Sequence, residues 1–215
     1  MPDRRALLEA AGGYLKHHPE ELLRAAKNAV LLRVGLPLDA LRWFAGRANG
    51  KRAPKDVQIE AVPPGVRIGA TIDLMGTTVR SSSVIYVEKV SLNQEELRFE
   101  IRLADVSLKV IGDSDTPVAA LIKSGALDLS KPGNLAAYMP KRPPVLVEAK
   151  DDRIVVDLMK HPKIGGNPKV ERLLGLVTPI VAVRAVETEW EHLDVLLGLF
   201  PNGVGEAVNA VREWL

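Results

Sequence analysis

The chain has 215 residues, of which 47 % are hydrophobic and 26 % are charged, and these values are typical of a globular protein rather than a disordered one. This length allows one large domain or two small ones with a substantial core. The sequence contains no cysteine, which excludes disulfides, thiolate metal sites and a cysteine nucleophile. Aromatic residues make up only 4 %, so leucine, valine, isoleucine and alanine must form most of the core.

The charges are distributed unevenly along the chain. Residues 1–55 contain 11 Lys or Arg and five Asp or Glu, whereas residues 185–215 contain six Asp or Glu and one Arg. In the simpler interpretation, the basic front and the acidic tail attract each other in the folded protein. In the second, the basic front meets an anionic lipid or a phosphate group.

The first residues carry two arginines but lack the apolar core of a signal peptide. No run in the chain approaches the roughly 18 apolar residues that are needed to cross a bilayer. We therefore expect a soluble, cytoplasmic protein, although a removed leader would leave the same sequence.

The front of the chain predicts three helices. The first covers residues 4–15, the second runs from residue 18 until Gly35-Leu36-Pro37 interrupts it, and the third covers residues 38–48. The second helix has an apolar stripe at helical spacing, with its charged residues on another face. Residues 51–55 then form a polar link.

The most informative stretch is 97–103, where apolar and charged residues alternate as on a strand with one dry and one wet face. Beyond Leu103 the alternation slips by one residue at Ala104-Asp105, so that Val106 and Leu108 return to the dry face. This pattern is typical of a β-bulge. Because a bulge bends a strand, the sequence predicts a curved sheet with a concave dry face.

Further elements follow turn and cap signals. Strands are predicted at 57–61, 66–74 and 79–92, in a hairpin at 145–158, and in a long β-rich segment at 180–199. Thr116-Pro117 and Asn167-Pro168 predict helix starts, with helices reaching about residues 123 and 177. A short helical piece is expected at 134–139 and a last helix at 204–215.

This order of elements predicts an α+β fold in a single domain, 1–215. It comprises an N-terminal helical segment, 1–50, a sheet-rich body, 55–200, and a C-terminal helix, 203–215. A sheet with one wet face is antiparallel, and its dry face needs a cover. We expect the curved antiparallel sheet to wrap around the N-terminal helices.

The sequence shows no catalytic or metal motif. The adjacent His17 and His18 would point about 100° apart on a helix, and no zinc-binding spacing or nucleophile elbow occurs. The pair Asp151-Asp152 is explained by a hairpin tip. We therefore predict a non-enzymatic protein with no catalytic residues, metal or cofactor.

The most site-like loop is 163–169, where Gly165 and Gly166 precede a helix N-terminus and Lys163 and Lys169 flank it. The free N–H groups of a helix N-terminus can bind a phosphate. The spacing is neither that of a P-loop nor that of a dinucleotide fingerprint. Two interpretations remain open, a plain helix cap and an anion-binding site.

A helix at 19–48 cradled by a curved antiparallel sheet at 66–111 resembles the architecture of the tubular lipid-binding proteins, the TULIP superfamily. The resemblance implies an apolar channel between helix and sheet that takes acyl chains. The basic residues of the front helices would meet an anionic headgroup, in transient contact with a membrane surface. The channel would be lined by Phe44, Leu97, Phe99, Ile101, Leu103, Val106 and Leu108.

The lead hypothesis is therefore a carrier or sensor of a lipid or other apolar small molecule. If the same side chains fill a solid core, the alternative is a protein-interaction module or homo-oligomeric scaffold, for example a homodimer. An enzyme with a site at residues 163–169 is a third hypothesis. Nucleic-acid binding is not expected, because no aromatic residues interleave with the basic ones.

Overall fold

The computed structural model describes residues 13–14, 21, 24, 28, 31–47, 53–138 and 142–214. Within these residues the fold is α+β, with antiparallel sheets, as predicted. The strands are β1 (Arg33–Pro37), β2 (Lys55–Val62), β3 (Gly65–Leu74), β4 (Thr77–Leu92), β5 (Leu97–Val110), β6 (Leu146–Lys150), β7 (Arg153–Asp157), β8 (Val181–Glu189) and β9 (His192–Leu199). The helices are α1 (Leu38–Ala45), α2 (Pro117–Lys123), α3 (Pro168–Val177) and α4 (Val204–Trp214). Two 3₁₀ segments cover Pro132–Tyr138 and Leu158–Lys160.

The strands form two sheets rather than the single one that the sequence suggested. The large sheet has the order β2-β3-β4-β5-β7-β6, and the small sheet has the order β1-β9-β8. All pairings are antiparallel. The long β4–β5 hairpin lies at the centre of the large sheet, and the Asn93 side chain orders its loop by accepting the N–H groups of Glu95 and Glu96.

The predicted bulge in β5 is confirmed. Ser107 pairs with Ser82 and Ala104 pairs with Val84, so two residues of β5 stand opposite one residue of β4. Asp105, one of these two, has a φ of 49°, a left-handed conformation that aspartate tolerates better than most residues. The bulge keeps the apolar side chains on the same face before and after it.

Two helices begin where local signals placed them. Thr116 accepts the N–H of Ala119 through its side chain, and α2 then runs over the predicted residues. Asn167 accepts the N–H of Lys169 in the same way at the start of α3. In both helices proline occupies the first turn, where its missing N–H costs nothing.

One prediction at the front of the chain is wrong. Residues 33–37 form strand β1 instead of the end of a helix and its breaker, because they pair with β9. The predicted β-rich segment at 180–199 is confirmed as strand, and a turn at Trp190 and Glu191, which the sequence did not predict, makes β8 and β9 a hairpin. Most of the predicted helices at 4–15 and 18–34, and the residues at 48–52 and 139, lie outside the described residues.

The two sheets meet where β8 packs against β4 and the start of β3. The Thr188 N–H donates to the Pro64 carbonyl at 2.8 Å, and its hydroxyl donates to the Gly65 carbonyl. Helix α1 lies beside the same junction, with Leu38 fully buried. Among the described residues no helix is both long enough and apolar enough to cross a bilayer.

Candidate functional site: the apolar face of the large sheet

The predicted lining residues of β5 lie on one face of the large sheet. Phe99 pairs with Val90 on β4 and with Val156 on β7, and Ile101 pairs with Val87 and Ile154. Residues that pair across neighbouring strands point to the same face. Leu97 and Leu103 belong to this face by alternation, and Leu108 rejoins it after the bulge through its pairing with Ser81.

This apolar face is only half-buried over most of its area. All six predicted residues of β5 have intermediate exposure. Their apolar neighbours on the same face are also of intermediate exposure: Val66, Ile68, Ile72, Ile85, Val87, Val90, Leu92, Ile154 and Val156. At one end of the sheet, by contrast, Val79 is fully buried. A filled core would bury these side chains nearly completely, so the middle of the face retains contact with solvent.

Phe44 lies apart from the six residues of β5. It belongs to α1, which packs against β1 and β2, and β2 is three strands from β5 in the large sheet. Its ring contacts Trp43 edge-to-face at a centroid distance of 5.0 Å, and the side chain is 45 % exposed.

The loop at 163–169 is shaped by backbone packing. A Cβ atom on Gly165 would overlap the Met159 carbonyl, and one on Gly166 would lie 3.2 Å from the Pro162 carbonyl. Asn167 already binds one N–H of the helix N-terminus, and Lys163 and Lys169 are exposed. These contacts explain both glycines and the cap without a ligand.

A pocket of about 290 Å³ lies beside this loop. It is lined by Gln94, Glu95, Met159, Gly165 and Glu171. Its two charged lining residues are both acidic, which disfavours a bound anion by like-charge repulsion.

A polar cluster joins the N-terminal segment to the small sheet. Asp194 on β9 is fully buried, and its Oδ2 accepts hydrogen bonds from Arg24 at 3.0 Å and from Arg33 at 3.3 Å. Arg33 also pairs with Glu187 at 3.1 Å and with Glu189. The basic front and the acidic tail therefore do attract each other at these arginines.

The same cluster extends to a histidine and to a close backbone contact. Nε2 of His192 lies 2.9 Å from both carboxylate oxygens of Glu21. A Cβ atom on Gly35 would lie 2.7 Å from Oδ1 of Asp194 and 3.2 Å from the Asn28 amide, so a side chain there would have to displace the Asp194 carboxylate. Sequence reasoning offered an attraction between the two ends of the chain but did not identify the residues that meet, because the partners are separated by about 160 to 170 residues.

Within the described residues, no group of three or more His, Cys, Asp or Glu side chains is arranged to hold a metal ion. No family model, no curated protein and no solved structure matches this chain.

Proposed function

We propose that the protein binds a lipid or another apolar ligand on the half-buried face of the large sheet, without catalysing a reaction. The observation that carries this proposal is the intermediate exposure of all six apolar residues that β5 contributes to that face. Fully burying a leucine, isoleucine or phenylalanine side chain contributes about 1.5–3 kcal/mol. Less than about a third of each of the six side chains remains exposed, so a ligand that covers them would gain on the order of 3 kcal/mol.

The shape of the β4–β5 hairpin supports the same proposal. Each of its strands carries an extra residue, Glu88 on β4 and one residue beside Asp105 on β5. Bulges bend and twist the strands that contain them. We take the apolar face as the concave side of this bend, which would form a groove of the kind that the resemblance to the tubular lipid-binding proteins implies.

The arginines of the front segment bear on the expectation that they contact an anionic headgroup. Arg24, Arg33 and Arg42 are each engaged with carboxylates of the fold. A headgroup contact by these arginines would have to compete with those pairs. The proposal therefore depends on apolar contacts with the ligand and needs no anionic headgroup.

The decisive experiment compares two aspartate substitutions on the same strand. Phe99→Asp places a charge on the apolar face, whereas Lys109→Asp places one on the opposite face, where Lys109 pairs with Arg80. We expect Phe99→Asp to remain folded by circular dichroism, because Phe99 is only half-buried, and to bind a fluorescent fatty acid at least about tenfold more weakly. Lys109→Asp should bind it as the wild type does.

Native mass spectrometry of the purified protein gives the second readout. A retained mass in the lipid range supports the proposal. A wild-type protein that carries no such mass and does not take up the fluorescent fatty acid would refute it. So would a Phe99→Asp variant that fails to fold, because that result indicates a solid core.

The alternative, a protein-interaction module or homo-oligomeric scaffold, is favoured by one separate observation. Helix α4 exposes an apolar stripe, in which Val204 is 59 %, Val208 is 42 % and Val211 is 38 % exposed. The same mass spectra separate the two functions. Concentration-dependent dimers of a lipid-free protein would support the scaffold.

A further inference from the structure

The tip of the β8–β9 hairpin exposes a tryptophan that the fold does not require. Trp190 is 78 % exposed and has a φ of 54°, a left-handed conformation that bulky residues rarely adopt. Glycine or asparagine would take this conformation with less strain. Neither the turn nor the core therefore explains a tryptophan at this position.

A second exposed aromatic side chain is tied to the same end of the molecule. Helix α1 carries Phe44 and is joined to the Trp190 turn at Glu191 by two hydrogen bonds. The Leu38 N–H donates to the Glu191 carbonyl at 2.8 Å, and Arg42 donates to the Glu191 carboxylate at 2.8 Å. We call Trp43, Phe44 and Trp190 the aromatic end. The aromatic end holds three of the nine aromatic residues of the sequence, which is a large share for one part of the surface.

The carboxylates around the aromatic end are paired with arginines, which they share: Arg33 binds three carboxylates and Arg42 binds two. Glu189 and Glu191 flank Trp190, and they pair with Arg33 and Arg42 respectively. The guanidinium group of Arg47 lies 3.4 Å from the centre of the Trp43 ring. Paired carboxylates repel phosphate groups less than free ones, and Arg47 adds a positive charge beside the rings.

We infer that the aromatic end is a membrane-docking surface, with Trp190 and Phe44 entering the interfacial layer of a lipid bilayer and Arg47 at the level of the phosphates. Tryptophan is enriched at this layer because its ring combines an apolar body with a polar N–H group. A bilayer suits the geometry better than a protein partner. A few protruding side chains offer far less than the roughly 800 Å² per partner of a stable protein interface, whereas each ring that enters a bilayer contributes separately.

This inference goes beyond ligand binding, and it does not require the apolar face of the large sheet. If both hold, the aromatic end is the place where the protein would meet the membrane from which a ligand is taken. The two sites lie on different elements, so their substitutions can be tested independently.

The test is co-sedimentation of the full chain with vesicles made of equal amounts of phosphatidylcholine and phosphatidylglycerol. Trp190→Asn suits the left-handed turn and should therefore fold. We expect the wild type to bind the vesicles, Trp190→Asn to bind about tenfold more weakly or less, and Trp190→Asn with Phe44→Ser to lose binding further. The matched control is Met75→Asn, since Met75 is also an exposed apolar residue, 52 % accessible, at a hairpin turn with a φ of 53°.

Three outcomes would overturn the inference. They are a wild type that stays in the supernatant, a Met75→Asn variant that loses as much binding as Trp190→Asn, and a wild-type dimer that Trp190→Asn dissociates without any vesicle binding. The fluorescent fatty acid, added without vesicles, separates this inference from the proposed function. Trp190→Asn should bind it normally, whereas Phe99→Asp should lose it while still docking on vesicles.

Discussion

Two glycine residues lie where another group approaches the backbone too closely to leave room for a Cβ atom. At Gly35 a Cβ atom would meet the buried carboxylate of Asp194, and at Gly165 it would meet the backbone of Met159. A flexible side-chain end can move away from a new methyl group, but a backbone carbonyl within a 3₁₀ segment has little freedom to do so. Gly165 is therefore the less replaceable of the two.

We predict that Gly165→Ala destabilises the protein by about 2 kcal/mol or more, because the new methyl group forces the 158–160 segment to shift. Chemical denaturation followed by circular dichroism measures this change. Gly205→Ala is the control, since nothing lies within 4 Å of its Cβ position in α4, and alanine favours a helix over glycine by up to about 1 kcal/mol. Equal stability of the two variants would show that the close contact at Gly165 is absent in solution.

The described residues of the N-terminal segment that contact the small sheet do so through polar side chains. Glu21, Arg24 and Asn28 are helical, and each of them lies against β1 or β9. Residues three and four positions apart share one helix face. The described part of this interface therefore depends on matched charges, and the loss of one partner weakens the compensation of the others.

We expect Asp194→Asn to destabilise the protein by about 2 kcal/mol, because Arg24 and Arg33 lose a buried charged acceptor, although Arg33 keeps its pairs with Glu187 and Glu189. Asp105→Asn is the matched control: the Asp105–Arg67 pair is exposed, at 3.1 Å, and asparagine tolerates the left-handed backbone at this bulge. Asp105→Asn should lower the free energy of unfolding by less than about 1 kcal/mol. Urea titrations of both variants give the comparison, and a small effect at Asp194 would mean that the cluster is hydrated in solution.

Local signals predicted the elements whose ends are decided by neighbouring residues. Thr116-Pro117 and Asn167-Pro168 located two helices because a cap and its helix are adjacent in sequence. The bulge at Asp105 was readable because the slip in alternation lies within one strand. Strand β1 was missed, since Val34 becomes part of a sheet only by pairing with Val195. The turn at Trp190 was also missed, because it lacks the glycine or asparagine that usually indicates a hairpin.

Local sequence signals also predicted only part of the candidate site. Alternation along β5 predicted which side chains share a face. It could not predict how far that face is covered, because cover comes from elements distant in sequence. The exposure of Trp190 and Phe44 could likewise not be predicted from the sequence, because an aromatic residue is usually expected in the core.

One side chain ties the two sheets together through α1. Arg42 donates to the Ile59 carbonyl on β2 from Nε at 2.9 Å and from Nη2 at 2.7 Å, and it also binds Asp39 and Glu191. The hydrogen bond with Asp39, followed by that with Glu191, raises the pKa of Arg42 above its ordinary value, although burial opposes the shift. The guanidinium group therefore stays charged at any pH at which the protein is folded.

We predict that Arg42→Lys destabilises the protein by about 1–2 kcal/mol, because a single ammonium group cannot make the forked contact with Ile59 and reach both carboxylates. The loss should be the same from pH 5 to pH 9, as neither side chain titrates there. Thermal melts across this pH range measure it. A lysine variant as stable as the wild type would mean that the sheets are held together without this contact.

The position of Arg42 has one more consequence, which concerns growth of the large sheet by additional strands. The main-chain oxygen of Ile59 on the outermost strand β2 is occupied by Arg42, and that of Val147 on the opposite outermost strand β6 is occupied by Arg142. A strand from a neighbouring molecule would have to displace a cation on either side before it could pair. Growth of the large sheet by strand addition is thereby disfavoured at both edges, which leaves β1 and β8, the outermost strands of the small sheet, for any pairing of this kind.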